Sequence, residues 1–101
     1  MAVIHLNQEN FEEVTREGIV LIDFFATWCG PCKMLAPLID QLAEENPDKK
    51  ICKIDVDKNP ALAERFGVMS IPTLILMKNG TPVEKAGGAR SKKALEEFLN
   101  Q

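Results

Sequence analysis

The chain has 101 residues, 46% of them hydrophobic and 27% charged, with a formal net charge of −3 at pH 7. That length fits one domain with one buried core, and the slight acidity offers no footprint for phosphate backbones or anionic lipid, so neither nucleic acid nor a membrane is an expected partner. The longest apolar run is far shorter than the ~20 residues that a bilayer requires, and three cysteines are too few for a disulfide scaffold, so cysteine here points to reaction chemistry or metal.

Residues 2–6 read as a short strand, and Asn7 opens a helical stretch in which Phe11 and Val14 share a face before Gly18 stops it. Residues 19–25, IVLIDFF, are apolar on both faces apart from Asp23, the pattern of an interior strand covered on both sides. After Trp28 the chain turns helical, with Leu35, Leu38, Ile39 and Leu42 on one stripe. Pro37 removes one backbone bond there, predicting a kink, and the helix ends near Asn46-Pro47. Residues 51–56 form another strand candidate, and Asn59-Pro60 supplies an N-cap and first-turn proline for a short helix that stops at Gly67. Residues 73–78 and 81–86 flank Asn79-Gly80 as an antiparallel hairpin, with Pro82 suited to an edge strand. Gly87-Gly88 breaks the chain before Ser91 caps a last helix striped by Ala94, Leu95, Phe98 and Leu99.

The run Trp28-Cys29-Gly30-Pro31-Cys32 falls where the interior strand hands over to a helix. Residues at i and i+3 of a helix have Cα atoms about 5 Å apart, inside the ~4.4 to 6.8 Å window of a disulfide, so the pair closes and reopens without moving the backbone. Free N–H groups and the positive end of the helix favour an anion at Cys29, with Lys33 adding charge, so Cys29 is the expected nucleophile. Cys32, deeper in the helix, suits a resolving thiol. Gly30 permits the tight approach and Pro31 stiffens the turn, leaving little cover over the sulfur.

Asp23 is the second unusual residue, because a carboxylate within an interior strand is costly unless paired or protonated. Alternation puts Lys53 on one strand face with Ile51 and Asp55. If the two strands are neighbours, Asp23 and Lys53 meet beneath the active-site helix, where the carboxyl can exchange a proton with Cys32 while Lys53 tunes it. An ordinary structural ion pair is the competing reading. Cys52 reads as a small core hydrophobe and His5 as a surface or edge histidine. A hydrolase would need His5 beside Cys29, and a structural zinc module would need a second chelating pair, whereas Cys52 and His5 stand singly on separate strands. An adaptor that only binds is disfavoured by the intact dithiol.

The segment from Asp23 to Met34, together with Pro37, Lys53, Ile71-Pro72-Thr73, Asn79-Gly80 and Gly88, resembles the thioredoxin family over essentially the whole chain. Thioredoxin is also the standard example of a lowered thiol pKa in a Cys-x-x-Cys motif. The resemblance implies an α/β fold in a single domain over residues 1–101, with a central five-stranded mixed sheet in order 1-3-2-4-5 flanked by four helices. It implies general protein disulfide reductase activity by a monomer that needs no cofactor or metal, and because the opening residues AVIHLNQEN show neither a basic stretch nor a long apolar one, the cytoplasm is the expected compartment. Disulfide-containing proteins would be its clients and a flavoprotein dithiol reductase its electron donor. It further implies that Cys29 attacks, Cys32 resolves and Asp23 accepts the proton of Cys32. Gly30 and Pro31 would tune the pair, while Trp28, Ile71, Pro72 and Gly88 form the client surface, with a cis Ile71-Pro72 bond as its far wall. Phe25 stands where the family often has Trp, and Met69-Ser70 and Gly87 differ from commoner choices beside that surface.

Overall fold

The computed structural model describes residues 2–101. The apolar run after Gly18 becomes β2 (Ile19–Phe25), five of whose seven residues are buried. It pairs in parallel with β3 (Lys50–Asp55) and antiparallel with β4 (Thr73–Lys78). β1 (Ile4–His5) adds to β3 in parallel and β5 (Thr81–Gly87) to β4 antiparallel, giving the expected order β1-β3-β2-β4-β5.

Because side chains alternate along a strand, the central strand feeds two cores. Val20, Ile22 and Phe24 face Cys52, Ile54 and Ile75 beneath α1 (Phe11–Thr15) and α3 (Pro60–Arg65). Leu21 faces Ile51, Leu74 and Leu76 beneath α2 (Gly30–Glu45) and α4 (Lys92–Leu99). The helical stripes supply the other half of the second core through Leu35, Ile39, Leu42, Leu95, Phe98 and Leu99. Asp23 shares the parity of Leu21, so its carboxyl lies on the sheet face that α2 covers.

Three local expectations need correction. α1 begins at Phe11 rather than after Asn7, because Asn7 Oδ1 accepts the N–H groups of Glu9 and Asn10 at 2.9 and 3.0 Å and holds a turn there instead of capping a helix. The first strand pairs only over Ile4 and His5, extended by the Leu6 N–H to the Lys53 carbonyl at 2.9 Å. Asn59 precedes Pro60 at the start of α3 but makes no side-chain cap, its Nδ2 donating to the Asp55 carbonyl instead. α2 continues as one helix through the exposed Pro37.

The Asn79-Gly80 turn is as expected: both residues have positive φ, 51° and 84°, which matches the twist of the hairpin. Asn79 also exchanges hydrogen bonds with Gly18, donating its N–H to the Gly18 carbonyl and accepting the Gly18 N–H on Oδ1, which ties the hairpin to the start of β2. Pro82 lies on the edge strand at a bulge, where Leu76 pairs with Glu84 and Met77 with Pro82. Ser91 caps α4, its side chain accepting the Ala94 N–H at 3.1 Å. Ser91→Ala should therefore cost about 1 kcal/mol of stability in a denaturant melt and leave disulfide chemistry untouched, since α4 lies away from the sulfurs.

Candidate active site

β2 ends at Phe25, and a short connection delivers Cys29 to the N-cap position of α2, with Gly30 and Pro31 as the first helical residues. Cys29 and Cys32 are joined as a disulfide with Cα atoms 5.2 Å apart. Cys29 Sγ accepts the Cys32 N–H at 3.2 Å and lies 3.9 Å from the Ile71 carbonyl oxygen. Burial does not separate the two sulfurs as expected, since Cys29 is 5% and Cys32 3% exposed. What separates them is polarity. Cys29 takes an otherwise orphaned N–H at the positive end of a sixteen-residue helix, an arrangement that stabilises a thiolate at Cys29 when the bond opens.

Opposite Cys29, the Ile71–Pro72 peptide is cis and Pro72 is buried at the head of β4. Gly88, with φ of 89°, donates its N–H to the Pro72 carbonyl at 2.9 Å. A side chain at that φ would be strained, which is why glycine suits the position. Trp28 is 68% exposed, and its Nε1 donates to Asp57 Oδ2 at 2.8 Å. Sequence reasoning missed Asp57. The signal was its place just past the C-terminal end of β3, where sites of open α/β sheets gather. Met69, which no motif singles out as a site residue, lines a shallow apolar groove with Trp28, Val56, Val68 and Ile71.

Asp23 and Lys53 are register partners across β2 and β3, which meets the condition that the two strands be neighbours. Asp23 is fully buried, and neither carboxylate oxygen has a hydrogen-bonding partner among the described residues. Burial pushes its carboxyl up to about 6, against a smaller opposing pull from the Lys53 charge. Lys53 does not close an ion pair with it; its Nζ lies over the Phe25 ring, 4.3 Å from the centroid, so the structural ion-pair reading loses its contact.

Cys52 points into the opposite core from Asp23, and burial pushes its thiol up to about 12. It is therefore a neutral thiol at pH 7, as a core hydrophobe should be. Cys52→Ala should leave disulfide turnover within a factor of about two while costing about 1 kcal/mol of stability for the methylene-sized gap. Thiol titration of the native reduced variant should count two reactive groups, as in the parent. His5 is exposed on β1 beside Lys53 and is not placed with the sulfurs. Among the described residues no group of three His, Cys, Asp or Glu side chains is arranged to hold a metal ion, and no helix is long and apolar enough to cross a membrane.

A family profile described as Thioredoxin matches residues 2–101. The thioredoxin of Bacillus subtilis is 50% identical over 102 aligned positions, covering 100% of this chain and 98% of the relative. That of Staphylococcus haemolyticus is 49% identical with the same coverage. Among solved structures, a mutant thioredoxin from Halobacterium salinarum superposes with a TM-score of 0.92 at 40% identity, covering 98% of this chain and 88% of that one.

Proposed function

The chain belongs to the thioredoxin family and is a thiol-disulfide oxidoreductase that reduces protein disulfides, and from that premise we propose how its residues divide the reaction. In the dithiol form the Cys29 thiolate attacks one sulfur of a client disulfide. A mixed disulfide forms and the first client thiolate leaves. Cys32 then gives its proton to Asp23 and attacks Cys29 Sγ, releasing the second client thiolate and closing the Cys29–Cys32 disulfide. Two electrons have passed to the client.

Each assignment has its support in placement. Asp23 lies on the α2 side of the sheet with no hydrogen bond of its own, and its raised pKa of about 6 still leaves it mostly ionised at pH 7, free to take a proton. Lys53 tunes that carboxylate from the neighbouring strand. Gly30 and Pro31 expose and stiffen the first turn. Trp28, Ile71, Pro72 and Gly88 form the client surface around Cys29, where an extended client segment can hydrogen-bond to backbone beside the cis peptide.

We further propose that residues 1–101 act as one thioredoxin domain, as a monomer in the cytoplasm, re-reduced by a flavoprotein dithiol reductase. A pair that must return to the dithiol after each turnover suits a reducing compartment. The observation that carries the reading is the disulfide at the head of α2, with Cys29 Sγ directed at the Ile71 carbonyl. The test is to feed the protein catalytic amounts of a flavoprotein dithiol reductase and excess NADPH, with a disulfide-bonded protein as client. Oxidation of NADPH that requires all three proteins supports the reading, while a client reduced no faster than by the reductase alone contradicts it.

A further inference from the structure

Four large apolar side chains are exposed among the described residues, and two of them are methionines: Met69 at 95% and Met34 at 76%. Met77, in contrast, is 2% exposed in the core. In the disulfide state the cysteine sulfurs are shielded from oxidants, because Cys29 and Cys32 are bonded to each other and Cys52 is buried. Among the described residues, the sulfurs open to an aqueous oxidant in that state are the thioethers of Met69 and Met34, and of the two only Met69 lines the groove with Trp28, Val56, Val68 and Ile71.

We infer that Met69 is an oxidative modification site, and that its sulfoxide weakens client docking. Hydrogen peroxide or an organic peroxide gives one oxygen to Met69 Sδ. The O–O bond breaks, an S–O bond forms, and water or an alcohol leaves, so the thioether loses two electrons and the peroxide gains them. The product is polar where the wall was apolar and flexible, so an apolar client side chain loses its contact there. A methionine sulfoxide reductase restores the thioether. The inference rests on the proposed client surface, which the groove adjoins.

The test treats the disulfide form with hydrogen peroxide, removes the oxidant, maps oxygen uptake by peptide mass spectrometry, then re-reduces the pair and measures kcat/KM. Met69 and Met34 should each gain one oxygen while Met77 stays unmodified. Treated parent protein should lose roughly tenfold in kcat/KM for a protein disulfide but little for a small aromatic disulfide. Met34→Leu should show the same ratio of treated to untreated kcat/KM as the parent, whereas Met69→Leu should keep its own untreated value. A parent that gains oxygen at Met69 without losing kcat/KM, a Met69 that resists oxidation, or an equal loss in treated Met69→Leu would overturn the inference. Untreated Met69→Gln separates the layers. If it reduces protein clients as the parent does, clients do not use the Met69 wall and the inference falls while the surface of Trp28, Ile71, Pro72 and Gly88 stands; if it is impaired while the oxidised parent is not, only the oxidation step falls.

Discussion

Replacing Cys29 with serine should lower protein disulfide reduction by at least about 10³-fold, the largest effect expected of any single substitution in this chain. The reason is positional. Cys29 alone has its Sγ at the N-cap of α2, taking the Cys32 N–H, and lies 3.9 Å from the Ile71 carbonyl oxygen of the proposed client surface. Serine keeps the cap, since its Oγ can accept the same N–H, so the fold should survive with its melting behaviour little changed. An alkylating reagent should find one reactive thiol fewer in the native reduced variant, and the remaining Cys32 should react slowly. Stopped-flow reduction of a disulfide-bonded protein, with a denaturant melt alongside, checks both halves. Substantial turnover by a folded Cys29→Ser protein would give the attack to another sulfur.

Asp23→Asn should change stability and chemistry in opposite directions. The folded carboxyl titrates at about 6 and the ordinary carboxyl at 3.8, so between those pH values the native state holds a proton that the unfolded chain releases. Stability should therefore fall as pH rises through that window, by about 3 kcal/mol in total, and then level off. Asparagine has no such titration. The variant should match the parent near pH 4 and exceed it by about 2 kcal/mol near pH 8, the amide's own lack of partners taking back part of the gain. The resolving step should slow by about 100-fold at pH 7, because Cys32 loses the proton acceptor proposed for it. Melts at two pH values and single-turnover release of the second client thiol measure the two effects. Equal pH dependence in the two proteins would contradict the burial argument, and unchanged release would give the proton to another acceptor.

Much of this was legible in the residues because its causes are local or periodic. The IVLIDFF run reads as an interior strand, and parity put Asp23 and Lys53 on one sheet face, although only the pairing of β2 with β3 brings them into register. The Cys-Gly-Pro-Cys spacing fixed a closable pair at a helix start, and Asn79-Gly80 fixed its hairpin. What could not be read depends on choices between local partners or on chain brought in from afar. Asn7 caps a helix or closes a turn with the same side chain, and the structure takes the turn. Lys53 has both a carboxylate and an aromatic ring within reach of its long stem, and its Nζ settles on Phe25. The Trp28–Asp57 hydrogen bond and the Met69 groove arise only when the connections after β3 and α3 fold back across the head of α2, so no spacing in the sequence announces them.

The division of labour between the two sulfurs is tested most directly by Cys32→Ser. The variant keeps the sulfur proposed to attack and removes the one proposed to release the client, so a client disulfide protein should remain bound through a single covalent bond. Peptide mapping of the trapped species under non-reducing conditions should find the client cysteine joined to Cys29, with Cys52 a free thiol. A bond from the client to Cys52, or no covalent species while client reduction continues, would contradict the account.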